Sequence, residues 1–501
     1  MNIQEAKEEV IRTVKAYTAR NAEGEYLIPS EKQRPLLIIG PPGIGKTAIM
    51  EQAAQECGVN LVSYTITHHT RQSAIGLPFI EHRIYAGREM TVTEYSMSEI
   101  IAAVYDQIEK SGVREGILFL DEINCVSETL APTMLQFLQY KTFGAHRLPD
   151  GFVIVTAGNP PQYNKSVRDF DIVTLDRIRR IEVGEDFDAW KHYASEADVH
   201  GAILAYLEIR RDHFYSIRTD VENRYFVTAR GWEDLSRAMK AYERLGLPVT
   251  ENLIGEYLQD PEIARDFATY YELYCKYRNI YRIPDILAGK ARDEALAVGS
   301  APFDERLSLI GLLVDALRGE CAQYTQEQAV QKLIYETLGR MPAAIREGEE
   351  AVSVLGSQIG SLEKDLAAKE EAKMIAPADA HVIRAALAQL RLLERDLTIG
   401  ATGDGKEDFG LAGKWFDARE KERQAQITFV SAHVTNAFSF MARCFGEGQE
   451  MVIFLSQLSG DSRILQFINE NGNDAYFRYN RLLLLDERRA QLTQDVMKLM
   501  P

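Results

Sequence analysis

The sequence predicts an α/β chain in which a core with a five-stranded parallel sheet is followed by a helical lid and an all-α C-terminal region with a coiled-coil hairpin. Three observations carry that expectation. Short apolar runs alternate with helical stretches from Pro35 to about Val183, as buried parallel strands joined by crossover helices do. From about Phe187 to Met341 the strand signal disappears and helical periodicity takes over. Between Ala343 and Thr398, Ile345, Val352, Leu355, Ile359, Leu362 and Leu366, then Ile383, Leu387, Leu390, Leu393 and Leu397, keep heptad spacing on both sides of Pro377, the pattern of two antiparallel helices sealing each other's seams.

Taken in order, residues 1–33 read as an amphipathic N-terminal helix (Ile3, Val10, Ile11, Val14) and a linker. Residues 34–186 hold the expected strands at Leu36–Ile39, Leu61–Tyr64, Ile117–Leu120, Phe152–Val155 and Ile178–Val183. A helical lid is expected over 187–300, a helical connector over 301–342, the hairpin over 343–398 and further helices over 399–501. The Gly-rich stretch Gly400–Gly413 reads as a mobile loop ahead of two or three helices from about Trp415. The aromatic stretch Tyr270–Tyr281 has helical spacing and reads as lid packing.

Composition excludes several classes. The 501 residues are 46% apolar and 26% charged, which argues against wholesale disorder. The net charge of −17 repels a phosphate backbone unless basic residues are sharply clustered, so nucleic acid is an unfavoured partner. Five scattered cysteines without a C-x-x-C pair suggest neither a disulfide framework nor a zinc site and fit a reducing cytoplasm. No apolar run approaches the roughly 18 residues of a membrane span.

The chemistry-bearing residues begin with Gly40-Pro41-Pro42-Gly43-Ile44-Gly45-Lys46-Thr47, followed by Ala48, between an expected strand and an expected helix. This is a phosphate-binding loop: its glycines let backbone N–H groups face phosphates, Lys46 neutralises their charge, and Thr47 offers a hydroxyl to Mg²⁺. The fold class sharpens to a P-loop NTPase core. Asp121 and Glu122 end the apolar run Ile117–Leu120. Successive strand residues point opposite ways, so Asp121 is expected in the Mg²⁺ shell and Glu122 as the base that orients and deprotonates water. Asn159 ends the next run and is placed to hold that water. The Asp176-Arg177-Ile178-Arg179-Arg180 turn offers guanidinium groups, of which Arg177, Arg179 and Arg180 all remain open as a γ-phosphate contact, and Arg230 begins a helix in the lid. Asn164-Lys165-Ser166-Val167 lacks the Asp of a guanine-reading element, against a GTPase. His68-His69 read as loop histidines rather than a metal pair.

In this order the parts resemble the AAA+ ATPases, and within them the MoxR-type family, over roughly residues 30–290. The resemblance implies Walker A at Gly40–Thr47, Walker B at Asp121 and Glu122, sensor 1 at Asn159, an arginine finger at Arg177, and sensor 2 at Arg230 acting in cis or trans. It also implies that Thr70–Pro78 with Ile84–Val92, and Lys141–Gly151, are pore-facing inserts. The expected function is an ATP-hydrolysing motor, with ATP and Mg²⁺, that assembles as a hexameric ring and remodels or matures a protein partner, through metal or cofactor insertion or with a partner carrying a von Willebrand A-type domain. The alternatives are a nucleic-acid loader or helicase-like motor, which wants Lys and Arg concentrated on pore elements where Arg71 and Lys141 are isolated, and a nucleotide-gated scaffold, which would be expected to lose Glu122 or its arginines.

Overall fold

A computed structural model describes every residue except 69–75, 164–166, 168–169, 171, 221–222, 348, 401, 403 and 482–501. The chain divides into two compact units. The first comprises Met1–Ala189 with Leu362–His381, the second Trp190–Ser361 with Val382–Pro501.

The strands of the first unit are β1 (Leu36–Ile39), β2 (Asn60–Thr65), β3 (Pro78–Tyr85), β4 (Arg88–Tyr95), β5 (Gly116–Asp121), β6 (Thr142–Phe143), β7 (His146–Arg147), β8 (Phe152–Gly158) and β9 (Arg179–Glu182). Five of them form one sheet in the order β2-β5-β8-β1-β9, every neighbouring pair parallel. Their apolar runs are buried as two covered sheet faces require. Leu37, Leu118, Leu120 and Ile154 pack with Val104, Met134 and Phe137 in one core, and Phe137 stacks on Phe143 at 4.0 Å. The five expected parallel strands are all present. The first helix, Ile3–Thr18, packs against the helix Lys46–Cys57 that follows β1.

β3 and β4 form a separate antiparallel hairpin with Ile80, Ile84 and Met90 exposed. The Thr70–Ile75 part of that insert lies outside the described residues, as do His69, Arg71 and Asn164–Ser166. The second small hairpin, β6 with β7, corrects the reading of Lys141 as a pore-facing cation. Lys141 caps the helix Ala131–Tyr140 in a left-handed conformation and is only 4% exposed. Its ammonium donates to Gln33 Oε1 at 3.0 Å and Ser30 Oγ at 3.5 Å. Burial among neutral acceptors lowers its pKa from 10.5 to about 8.

The second unit is mainly helical, organised on the 36-residue helix Phe303–Leu338, which packs against Pro261–Tyr281, Gly405–Phe445, Gln449–Ser459 and Ser462–Asn471. Two expectations are overturned there. A strand pair, β10 (Ser216–Thr219) with β11 (Arg224–Val227), stands where only helices were expected; each strand has four residues, too few for a period-2 pattern to emerge. The Gly400–Gly413 loop is instead mostly helix, because Gly405–Phe445 starts inside it. Asp404 caps this helix by accepting from Lys406 N and Glu407 N, and a Cβ at Gly405 would stand 2.8 Å from Ile345 Cγ2, so the glycine permits close packing rather than mobility. The Tyr270–Tyr281 stretch lies on one helix, with Tyr271, Tyr274 and Tyr281 buried. The heptad residues form helices Ala351–Glu371 and Pro377–Gly400, with Leu355, Ile359, Leu390, Leu393 and Leu397 buried, whereas Ile345 belongs to a separate short helix, Met341–Arg346.

Candidate active site

The chemistry gathers at the C-terminal ends of β1, β5 and β8, where parallel strands leave their loops free to hold a ligand. β1 ends at Ile39 and the chain turns at once into Gly40–Gly45. Gly43 and Gly45 have φ of 75° and 96°, a region costly to any residue with a Cβ. A Cβ at Gly40 would meet Val183 O at 2.7 Å, so the loop also needs glycine to lie against the strand beside it. Pro41 and Ile44 are buried, while Pro42, Thr47 and Ala48 are half-buried.

Lys46 opens the next helix and is 8% exposed. Its Nζ donates to Gly40 O at 2.8 Å, Pro41 O at 2.7 Å and Asn159 Oδ1 at 2.9 Å. The loop carbonyls thus fix the ammonium where phosphate oxygens are to be met. Asn159 reaches the same group from the end of β8, and its own carbonyl accepts from Asn124 Nδ2 at 2.7 Å. Thr47 Oγ1 donates to Asp121 Oδ2 at 3.2 Å. A hydroxyl and a carboxylate so close are the hard oxygen donors that Mg²⁺ takes, so the residues fit that ion.

Glu122 is half-buried, with φ 57° and ψ 34°, a left-handed backbone that costs a non-glycine residue about 1–3 kcal/mol. The turn is held by its own N–H donating to Asp121 Oδ1 at 2.8 Å. The Glu122 carboxylate is held by Thr67, whose Oγ1 donates to Oε2 at 2.9 Å. Thr67 lies just past the end of β2, whose Thr65 stands opposite Asp121 in the register. Neither Thr67 nor Asn124 stood out in the sequence; a polar residue two positions beyond a strand adjoining Asp121, and an amide two beyond Glu122, were the available signals.

The three arginines separate by their partners. Arg179 donates to Thr13 Oγ1 at 3.0 Å and pairs with Glu9, which ties β9 to the first helix. Arg180 pairs with Glu182 at 2.6 Å and lines a cavity of about 580 Å³ beside Gly40, Pro41 and Asn159. Arg177 is exposed and bonds the amide of Gln139 at 2.6 Å. Arg230 belongs to the second unit, exposed in the first turn of the helix Ala229–Leu245, which Thr228 caps.

Residues 36–176 match the family model described as ATPase family associated with various cellular activities (AAA). No curated protein matches the chain. The matched segment is an AAA ATPase domain, and the chain is an ATPase. Among the described residues no helix is long and apolar enough to cross a membrane.

Proposed function

We propose that this ATPase is an oligomeric motor of MoxR type, working as a hexameric ring, that uses ATP hydrolysis to remodel or mature a protein partner. In its cycle Lys46 and the Gly40–Thr47 backbone hold the triphosphate. Mg²⁺ held by Thr47 and Asp121 would neutralise charge on the phosphate oxygens. Glu122 orients the attacking water and takes its proton once Thr67 gives way, and Asn159 holds that water from the β8 side. Most of the rate comes from positioning and charge stabilisation, as phosphoryl transfer requires. Arg177 is the finger for a neighbouring subunit, since among the described residues it is held by the neutral amide of Gln139, whereas Arg179 and Arg180 are each engaged by a carboxylate. Arg230 supplies the second sensor from the lid.

One observation favours a protein over a nucleic-acid substrate. The β3–β4 hairpin presents Ile80 at 68% and Ile84 at 75% exposure, and its two arginines, Arg83 and Arg88, stand among three glutamates, of which Glu81 and Glu94 pair with Arg83. Such a surface suits apolar peptide segments rather than phosphates. The Glu122→Gln chain, which retains bound ATP, is the trap to use: it should form rings by native mass spectrometry and retain a defined protein, including one with a von Willebrand A-type domain. Equal retention of single-stranded DNA by wild type and by an Ile80→Ser/Ile84→Ser chain would refute the reading.

A further inference from the structure

The tip of the coiled-coil hairpin, 362–381, belongs to the first unit, while the rest of both its helices belongs to the second. Within the first unit, Gln107 Nε2, on the helix Glu99–Ser111, donates to Ala372 O at 2.6 Å. Ala372 is 3% exposed and lies just past the end of the helix Ala351–Glu371. A carbonyl there has no helical N–H to accept from, so the Gln107 amide satisfies it.

The same Gln107 nitrogen approaches Asn60 Oδ1 at 3.3 Å. Asn60 is wholly buried and is the first residue of β2. Its Nδ2 donates to Val113 O at 2.7 Å, so the amide is held on both sides. β2 is an edge strand of the sheet, and among the described strands it is bonded to β5 alone. Its six residues end at Thr65, and two residues later Thr67 donates to Glu122 Oε2. The hairpin tip and the candidate general base therefore sit at opposite ends of one strand, about 20 Å apart at 3.3 Å per residue. That strand has a neighbour on one side only, which leaves it freer to shift than β5, β8 or β1.

From this arrangement we infer that the coiled-coil hairpin is an intramolecular strap: its tip, held by Gln107 at Ala372, restrains β2 so that Thr67 stays on Glu122, and release of the tip raises ATP turnover. Gln107 is a positioning residue, acting through Asn60 and β2, and touches none of the reacting groups. The inference rests on the ATPase activity and not on the identity of any partner.

Two full-length variants test it. Gln107→Leu removes both donors while keeping a good helix former. Replacing 370–376 with a Gly/Ser turn removes the Ala372 carbonyl and leaves Gln107 and Asn60 intact. Both should raise hydrogen exchange across 362–381 without changing it in Leu387–Leu397, and both should raise turnover about two- to thirtyfold, the range of coupling between linked sites. Combined, they should do no more than either alone. Raised exchange with unchanged or lower turnover in both variants would overturn the proposal. A rise from Gln107→Leu without one from the tip replacement would also overturn it, because the effect would then belong to Asn60. Unchanged exchange at the tip would show that Gln107 does not hold it.

Discussion

Replacing Lys141 with methionine should make the chain's stability less dependent on alkaline pH. Lys141 is buried among neutral acceptors with its pKa lowered from 10.5 to about 8, so folding disfavours its proton. A drop of about 2.5 at 1.36 kcal/mol each corresponds to about 3 kcal/mol of destabilisation below pH 8. The sign is fixed by the direction: between 8 and 10.5 the unfolded chain binds the proton and the folded chain does not, so stability rises with pH through that window. Relative to Lys141→Met, the wild type should therefore gain about 2 kcal/mol between pH 7 and 9.5, or roughly 4–8 °C in the melting of a unit of this size. At pH 7 the variant gains about 3 kcal/mol from the lost charge and loses about 1–3 kcal/mol because Gln33 Oε1 is left without its donor, so it should be neutral to mildly stabilised. Calorimetric melts of both chains at the two pH values check this, since every other titrating group cancels in the difference. A gap that does not change with pH would mean that Lys141 is charged and solvated, and its exclusion from ligand contact would fall with it.

Three further outcomes are expected. Lys46→Ala should lose ATP binding by at least about tenfold because the only cation inside the phosphate loop is gone, whereas Glu122→Gln should bind ATP and turn it over at least about a hundredfold more slowly; calorimetry and phosphate release separate the two. Arg177→Ala should bind ATP normally with turnover down at least about a hundredfold, and mixing it with Lys46→Ala subunits should restore part of the activity, while Arg179→Ala should instead lower the melting temperature by loosening the first helix from β9. In the second unit, the hydrogen bond from His200 lowers the pKa of Glu243 from 4.5 to about 2, so its contribution is present above pH 4.5 and lost as pH falls towards 2; Glu243→Gln should remove that acid-sensitive part of the unit's unfolding, followed by tyrosine fluorescence.

What the sequence made legible was set by local patterns. The strands are read off because Leu36–Ile39, Ile117–Leu120 and Phe152–Val155 are covered on both faces, and burial on both faces leaves a continuous apolar run. The phosphate loop is read off because its chemistry and its backbone both depend on residues adjacent in the chain. Lys141 was misread because its burial is decided by Ser30 and Gln33, more than a hundred residues away. Gly405 was misread because in isolation a glycine signals freedom, and only Ile345 across the interface shows that it is there for closeness. Thr67 carries no local mark at all; its contact with Glu122 arises from the parallel register of β2 with β5, which no single segment encodes.

The left-handed backbone at Glu122 bears on how this protein can be altered. Glycine is the residue that conformation accommodates most readily, with asparagine next, and neither carries a carboxylate. At this position the substitutions that relax the chain are the ones that silence hydrolysis. A library sorted for heat resistance alone should therefore enrich inert chains at residue 122, and any campaign to harden this ATPase has to screen for turnover at every round.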